Sequence, residues 1–336
     1  MPACITRPES EEEPLIVDPE MRRIYDLLTQ VAQTDLPVLL LGETGSGKEG
    51  AAQWLHARSG RPAHRFITVN CAALSDSVME SELFGHERGA FTGAIGAREG
   101  LFEAAHGGTL LLDEVGEFSA RAQAKLLRVL ETGEVVRVGS NQPRKVDVRV
   151  VAATHRDLPT LVQQGTFRED LYFRLSGLTL TVAPLRNRPS EIVPLANLFL
   201  RRLARGMARP VWLLADDAIA ALLRHGWPGN VRELRNVVTR AATLCSGTTL
   251  GAEHLALGVR PPSSAPPVAD LSGNGVRREL RAFEKERILA ALAKTEGNQT
   301  RAAVLLGLSR RTLTNKLNAY DIDRPRKRVI SRSAAE

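Results

Sequence analysis

Cysteine is scarce in this chain: three thiols, Cys4, Cys71 and Cys245, among 336 residues. They are too few and too widely spaced for a disulfide framework or a four-ligand zinc site, and the seven histidines have no metal-binding spacing. Cys71 and Cys245 read instead as small apolar side chains destined for burial. Long hydrophobic runs are missing as well. Stretches such as Pro37–Leu41 and Leu110–Leu112 fall far short of the roughly 20 residues needed to cross a bilayer. The opening Met-Pro-Ala-Cys leads into the acidic stretch Glu9–Glu13, with no basic n-region and no apolar h-region, so no secretory signal is read. These absences predict a cytoplasmic protein with no membrane partner.

What is present is an ordinary globular balance, 43% hydrophobic and 25% charged, which excludes a wholly disordered or collagen-like chain. The length suits two or three domains of roughly 100–200 residues. The formal charge of +7 is unevenly spread: residues 276–336 hold 15 Lys/Arg against 7 Asp/Glu, and the preceding 275 residues hold 30 against 31. A basic terminal module on a neutral body suits nucleic-acid binding, although a solvated basic tail has the same composition. Residues 259–275 contain four Pro, three Ser and two Gly among 17, a composition that cannot bury a core and reads as a linker.

Within the body, Val38–Leu41, Phe66–Val69, Thr109–Leu112, Val148–Ala152 and Leu178–Val182 are strand candidates, with helical patterns such as Lys48–Arg58 and Ala122–Glu131 between them. That alternation predicts a parallel sheet with helices on both faces. After Pro184 the strand signals stop, and Ile192–Ala208, Asp216–His225 and Asn230–Leu244 all read as helices.

Val38–Leu41 runs directly into Gly42-Glu43-Thr44-Gly45-Ser46-Gly47-Lys48, and helical spacing begins there. This strand–loop–helix setting is what a phosphate-binding loop requires: glycines turn backbone N–H groups inward, the helix dipole adds positive potential, and Lys48 reaches the outer phosphates. Glu49 stands where Ser or Thr usually follows the lysine, which leaves the magnesium ligand unassigned by the motif. Downstream, Leu110–Leu112 ends in Asp113 and Glu114, two carboxylates at the carboxyl edge of a buried strand. Asp113 is the candidate to hold Mg²⁺, directly or through water, and Glu114 the candidate general base for an attacking water. Taken alone, the pair is equally a solvated acidic turn.

With these motifs placed, residues from about 15 to 258 resemble the AAA+ domain of bacterial enhancer-binding proteins, the ATPases that activate RNA polymerase carrying sigma-54. The hexapeptide Gly89-Ala90-Phe91-Thr92-Gly93-Ala94 carries the resemblance most specifically, and Glu49 after the loop lysine also fits it. The resemblance implies that Gly89 to Ala94 form a mobile sigma-54 contact, with Phe91 and Thr92 touching the partner; without it, Phe91 would more often be a plug in the protein's own core. It implies that Asn70 is the switch residue bonding Glu114, that Thr154 belongs to sensor I, and that Arg168 and Arg174 are arginine fingers offered to a neighbouring subunit. Local pairing of those arginines with Glu169 and Asp170 is the alternative. At sensor I the family more often has Asn where this chain has His155. Trp227-Pro-Gly-Asn-Val-Arg-Glu-Leu234 resembles sensor II, with Arg232 reaching the nucleotide and Asn230 read as a helix cap.

In the terminal module, Asn298 and Ser309 read as caps of two short helices separated by Gly307. The second carries Arg310, Arg311, Asn315 and Lys316 outward, with Leu313 and Leu317, four apart, facing in. This is similar to the Fis-type helix-turn-helix, and those four polar residues are the expected contacts to double-stranded DNA; a small helical bundle with a soluble face has the same pattern.

The resulting expectation is an α/β fold, an AAA+ P-loop ATPase domain with a helical lid, plus a small all-α helix-turn-helix domain. Its parts run 1–14 (short acidic segment), 15–184 (α/β ATPase subdomain), 185–258 (lid), 259–275 (linker), 276–322 (helix-turn-helix) and 323–336 (basic tail). The first 14 residues cannot form a sensor domain, so control is expected from another protein binding the ATPase domain, or from expression level. The implied function is a sigma-54-dependent activator that binds upstream DNA, assembles a ring, by the family norm a hexamer, and uses ATP and Mg²⁺ to remodel the closed polymerase complex. Two other readings remain: a DNA-binding regulator with a degenerate ATPase, suggested by His155, and an AAA+ ATPase acting on DNA itself, against which the hexapeptide stands.

Overall fold

Val38–Leu41 is four apolar residues in a row, a composition that only a strand covered on both faces accommodates, and it lies inside a five-stranded parallel sheet. The structure is a computed structural model and describes residues 14–91 and 93–257, together with Ile288, Thr295, Gln299, Ala302, Ala303, Leu313 and Leu317. Two compact units divide the chain, Met1–Val259 and Arg260–Glu336.

In chain order the first unit contains α1 (Pro19–Val31), β1 (Val38–Leu41), α2 (Lys48–Ala57), β2 (Phe66–Asn70), α3 (Asp76–Phe84), α4 (Leu101–Ala104) and β3 (Gly108–Asp113). There follow α5 (Ala120–Thr132), the hairpin β4 (Glu134–Val136) and β5 (Pro143–Lys145), β6 (Val148–Thr154), α6 (Leu158–Gln163), α7 (Glu169–Leu175) and β7 (Leu178–Thr181). A helical subdomain closes it: α8 (Ile192–Gly206), β8 (Leu213–Leu214), α9 (Asp216–Arg224), α10 (Asn230–Leu244), β9 (Thr249–Leu250) and α11 (Ala252–Leu255).

The sheet order is β2-β3-β6-β1-β7. Alternate residues of each strand feed opposite layers. Leu39, Leu110, Leu112 and Ala152 pack with α3, α4, α5 and α7, while Val38, Leu40, Leu111 and Val151 pack with α1 and α2. Local chemistry starts and stops the covering helices. Asp18 caps α1 by accepting from the Glu20 and Met21 N–H groups, and Ser119 caps α5, which ends on Gly133 in the left-handed region. The helical subdomain has its own core around the fully buried Trp227, whose indole N–H donates to Leu222 O at 2.9 Å.

Strand register decides what meets at the functional edge. Leu41 aligns with Thr154 and Thr181, Asp113 with Ala153, and Asn70 with Asp113. The carboxyl ends of all five strands therefore arrive at one level, and the loops after β1 and β3 face each other across the end of β6.

All five strand candidates are strands, and Cys71 and Cys245 are buried free thiols. The expectation that strands cease after Pro184 needs correcting: β8 and β9 form a short parallel pair inside the helical subdomain. Two-residue strands carry too little pattern to stand out from loops.

In the second unit, Leu313 and Leu317 are buried with Ile288, Ala302 and Ala303 in one apolar cluster of helical residues, the inward pair read from the sequence. The segments 1–13 and 258–287 and the candidate DNA contacts Arg310, Arg311, Asn315 and Lys316 lie outside the described residues, as does Thr92.

Candidate nucleotide site and exposed loop

Between β1 and α2 the chain turns through Gly42, Gly45 and Gly47, all with positive φ. A Cβ at Gly42 would lie 2.6 Å from Val182 O, and one at Gly45 would lie 2.7 Å from Gly229 O, so the sheet and the lid both press on this loop. Gly47 has nothing within 4 Å and is left-handed for the turn itself. Lys48 is nearly buried and donates to Gly42 O at 2.7 Å and Glu43 O at 3.2 Å, which curls the loop around its ammonium. Burial pushes the Lys48 pKa down, opposed by the charges of Glu114 and Asp113. Ser46 Oγ is buried with no hydrogen-bond partner among the described residues, 3.1 Å from where a Gly42 Cβ would lie. Glu49 lies in the first turn of α2 and accepts from Gln53 at 3.5 Å.

Across the sheet edge, burial raises the Asp113 pKa while Lys48 lowers it. Glu114 is in the left-handed region (φ 59°) and nearly buried. Its Oε2 accepts from His155 Nδ1 at 2.7 Å, from the His155 N–H at 3.2 Å and from Thr154 Oγ1 at 3.5 Å. The expected Asn70–Glu114 bond is absent: Asn70 Oδ1 instead accepts from the Ala72 N–H at 3.0 Å, capping the turn Cys71–Ala73. An Asn with a free amide N–H two residues ahead closes that local ring more readily than it reaches across the edge. Cys71 is buried behind the carboxylates, and desolvation, then Asp113 and Glu114, hold its thiol pKa well up.

Asp113 and Glu114 supply one carboxylate pair, and among the described residues no group of three or more His, Cys, Asp or Glu side chains could hold a metal. Such a donor set suits a cation that shares its shell with phosphates and water, as Mg²⁺ does.

The lid supplies the third side. Arg232, in the first turn of α10, sits against the phosphate loop, its Cβ 3.1 Å from where a Gly45 Cβ would be, and its charge is felt by both Lys48 and Asp113. Asn230 is not the helix cap expected of it. Gly229 takes that position, and the Asn230 side chain reaches Glu43, Thr44 and Leu185 instead. Beside the loop opens a cleft of about 310 Å³, walled by Ile16, Tyr25, Trp54, Leu195, Phe199 and Val231. Four separated segments build it, so no local pattern in the sequence announced it.

Arg168 and Arg174 lie away from this edge. Arg168 forms a two-pronged pair with Asp170, at 3.0 and 2.6 Å, which is one of the local pairings the sequence left open. Arg174 donates to Leu130 O at 3.2 and 2.9 Å and lines a groove with Pro37, Val148 and Gly177, at the amino-terminal ends of β1, β6 and β7. With about 3.3 Å per residue, the seven-residue β6 separates that groove from the phosphate loop by about 20 Å.

Between α3 and α4 the chain leaves the body as a loop. Gly89 and Gly93 have φ of 80° and 103°, and a Cβ on either would meet nothing within 4 Å. The Gly89 N–H donates to Ala94 O at 2.9 Å and the Ala94 N–H to Phe91 O at 3.0 Å, closing a tight tip. Phe91 is 46% exposed, with its ring edge-on to His86 at 5.0 Å, and Ile95 is 88% exposed. Phe91 is thus not a plug in the core, although Ala94 is buried. The β4–β5 hairpin buttresses the loop: the Glu87 N–H donates to Val138 O at 3.0 Å and the Val138 N–H to Gly85 O at 2.8 Å.

Comparison with known proteins agrees with these features. Residues 15–181 match the sigma-54 interaction domain, 186–270 the AAA+ ATPase lid domain, and 279–320 the bacterial regulatory protein, Fis family. The transcriptional regulatory protein ZraR of Klebsiella oxytoca is 48% identical over 301 residues, covering 89% of this chain and 67% of that protein. FlbD of Caulobacter vibrioides is 42% identical, covering 95% and 72%. NtrX of Brucella abortus, solved in complex with ATP, superposes with a TM-score of 0.67 at 33% identity, covering 92% of this chain and 70% of that one. The chain spans about two thirds of the length of such relatives. No helix among the described residues is long and apolar enough to cross a membrane. With the phosphate loop, its lid and the exposed glycine-hinged tip joined in one chain, the protein belongs to the sigma-54-dependent transcriptional activators, which combine a nucleotide-binding domain of the AAA+ ATPase family with a Fis-type DNA-binding domain.

Proposed function

We propose that the protein binds upstream DNA and, as a hexameric ring, hydrolyses ATP to remodel the closed complex of sigma-54 RNA polymerase. The nucleobase enters the apolar cleft beside Ile16 and Phe199, and the phosphates lie in the loop Gly42–Lys48, with Lys48 and Arg232 on the outer oxygens. Asp113 would hold Mg²⁺, which when bound neutralises charge on those oxygens. Glu114, oriented by Thr154 and His155, takes the proton of the attacking water through its remaining oxygen. Asn70, in register with Asp113, caps the turn that leads into α3, and the far end of α3 carries the loop 89–94, so a change at the carboxylates travels about twenty residues to the tip. Arg310, Arg311, Asn315 and Lys316 contact DNA, and the module boundaries are those read from the sequence.

The assembly into a ring draws on Arg174, which lies at the opposite strand edge from its own phosphate loop and so could serve only another copy's nucleotide; Arg168, at the start of the same helix, is the second finger. The observation that carries the whole reading is the exposed tip, with Phe91 held out on two left-handed glycines. Mixing the protein with sigma-54 and a transition-state analogue of ATP should trap a stable complex, and Phe91→Ala should lose that complex while keeping phosphate release. No complex from a chain with intact ATPase activity would sink the remodelling claim.

The pairing of His155 with Glu114 supports one competing reading, a regulator that binds nucleotide without turning it over. Phosphate release from the wild type against Glu114→Gln decides between them: equal rates favour the idle enzyme.

A further inference from the structure

Asn230 is fully buried, has a left-handed backbone (φ 52°), and uses both donors and the carbonyl oxygen of its amide. Oδ1 accepts from the Leu185 N–H at 2.8 Å; Nδ2 donates to Glu43 Oε2 at 3.0 Å and to Thr44 O at 3.2 Å. One side chain thus joins the phosphate loop, the hinge after β7 and the first residue of α10. Arg186, next in the hinge, grips the same Glu43 carboxylate with two bonds of 2.5 and 2.8 Å. The Val231 N–H donates to Gly45 O at 3.0 Å, and Arg188, itself buried against Glu191, donates to Ser46 O. Four consecutive residues of the phosphate loop, Glu43 to Ser46, are each held by the lid or its hinge.

We infer that Asn230, with Glu43 and Arg186, is a latch that sets the lid angle over the phosphate loop and thereby positions Arg232, two residues further along α10. This rests on the nucleotide-binding reading of the loop and adds to it a positioning residue that touches no nucleotide itself. The geometry favours a positioning role over plain packing. An apolar side chain of the same volume would fill the space, whereas the amide bonds three partners at once, and its loss would strand the buried Leu185 N–H. Left-handed backbone at a non-glycine residue persists only where surroundings over-determine it, and Asn tolerates it best. Arg186, then Asn230, holds the Glu43 carboxyl down at about 2, so at neutral pH the ionised carboxylate is matched by the Arg186 guanidinium.

The test is Asn230→Asp, isosteric but unable to donate, which sets a second carboxylate against Glu43. Affinity for a fluorescent ATP analogue should fall about tenfold, and exchange of the Val231 amide, its bond to Gly45 O loosened, should quicken by a similar factor. Adding Glu43→Gln restores a donor facing the new carboxylate and should recover at least half of both losses, whereas a residue that merely packs would not be rescued. Arg186→Ala, at a half-exposed position, loosens the latch from its outer side and serves if Asn230→Asp fails to fold; about threefold weaker binding and faster Val231 exchange are expected. Unchanged Val231 exchange in the folded variants, or no recovery in the double variant, overturns the latch. Because amide exchange is read without nucleotide, a wild type that fails to bind ATP refutes the nucleotide reading and leaves the latch separately judged.

Discussion

A single methyl group at position 100 should unfasten the stem that carries the exposed tip. Where the loop leaves and rejoins the body, Gly85 and Gly100 lie backbone against backbone. A Cβ on Gly100 would stand 2.4 Å from Gly85 N and from the Phe84 carbonyl carbon, and 2.7 Å from Leu83 O. All are main-chain atoms, so no side-chain rotation relieves the contact, and reaching an ordinary 3.4 Å separation parts the two chains by about 1 Å. Overpacking of this kind costs about 1–3 kcal/mol. Parting the chains also strains the two stem hydrogen bonds, His86 N–H to Arg98 O at 3.0 Å and Arg98 N–H to His86 O at 2.8 Å, each worth about 1 kcal/mol. Gly100→Ala is therefore expected to destabilise the domain by about 3 kcal/mol, or about 6–12 °C in melting temperature for a domain of this size. Gly89→Ala is the control: with nothing within 4 Å of its Cβ it pays only the left-handed penalty, about 1 kcal/mol. The assay is thermal unfolding of both variants, followed by nucleotide binding and sigma-54 trapping. Gly100→Ala should keep nucleotide affinity and weaken trapping. Equal melting temperatures for the two variants would show that the stem is not the tight element described.

Three further outcomes are expected. His155→Ala removes the shortest hydrogen bond to Glu114, and because His155 is half exposed the loss is about 1 kcal/mol, a fivefold lower turnover with unchanged KM; steady-state phosphate release measures it, and identical rates would mean the contact is idle. Arg174→Ala and Lys48→Ala proteins should each be inactive, yet mixtures should regain phosphate release, since a Lys48→Ala subunit still lends its arginine to an intact site next door; inactive mixtures would refute transfer between subunits. Glu43, with its pKa held down from 4.5 to about 2 by Arg186 and Asn230, contributes to lid closure fully above pH 4.5 and loses that contribution only as pH falls toward 2. Val231 amide exchange, corrected for its intrinsic rate, should accordingly stay flat between pH 7 and 5, and a rise there would contradict it.

Much of the site was legible before any coordinates. The phosphate loop, the carboxylate pair and the hexapeptide are contiguous stretches whose chemistry depends on backbone freedom and strand ends, so spacing along the chain reveals them. The misreadings share a cause. Asn70 was paired with Glu114 by resemblance, but its own turn competes for its oxygen, and His155, two strands away, takes the carboxylate. Asn230 looked like a cap because it precedes a helical pattern, yet the partners that claim its amide lie 45 and 187 residues away in sequence. The β4–β5 hairpin escaped because its second strand, Pro143–Lys145, is exposed along its length and has no apolar alternation.

Left to itself, the order of residues decided that a parallel sheet would form, that a glycine loop would end its first strand, and that a short segment with two flanking glycines could project from the body. Apolar runs and glycine positions act within a few residues of themselves, and nothing distant can cancel them. Which carboxylate meets which donor was decided only in three dimensions. Hydrogen bonds near 3 Å depend on the register of β2, β3, β6 and β1 and on the angle of the lid, and both are set by the packing of whole layers rather than by any local pattern.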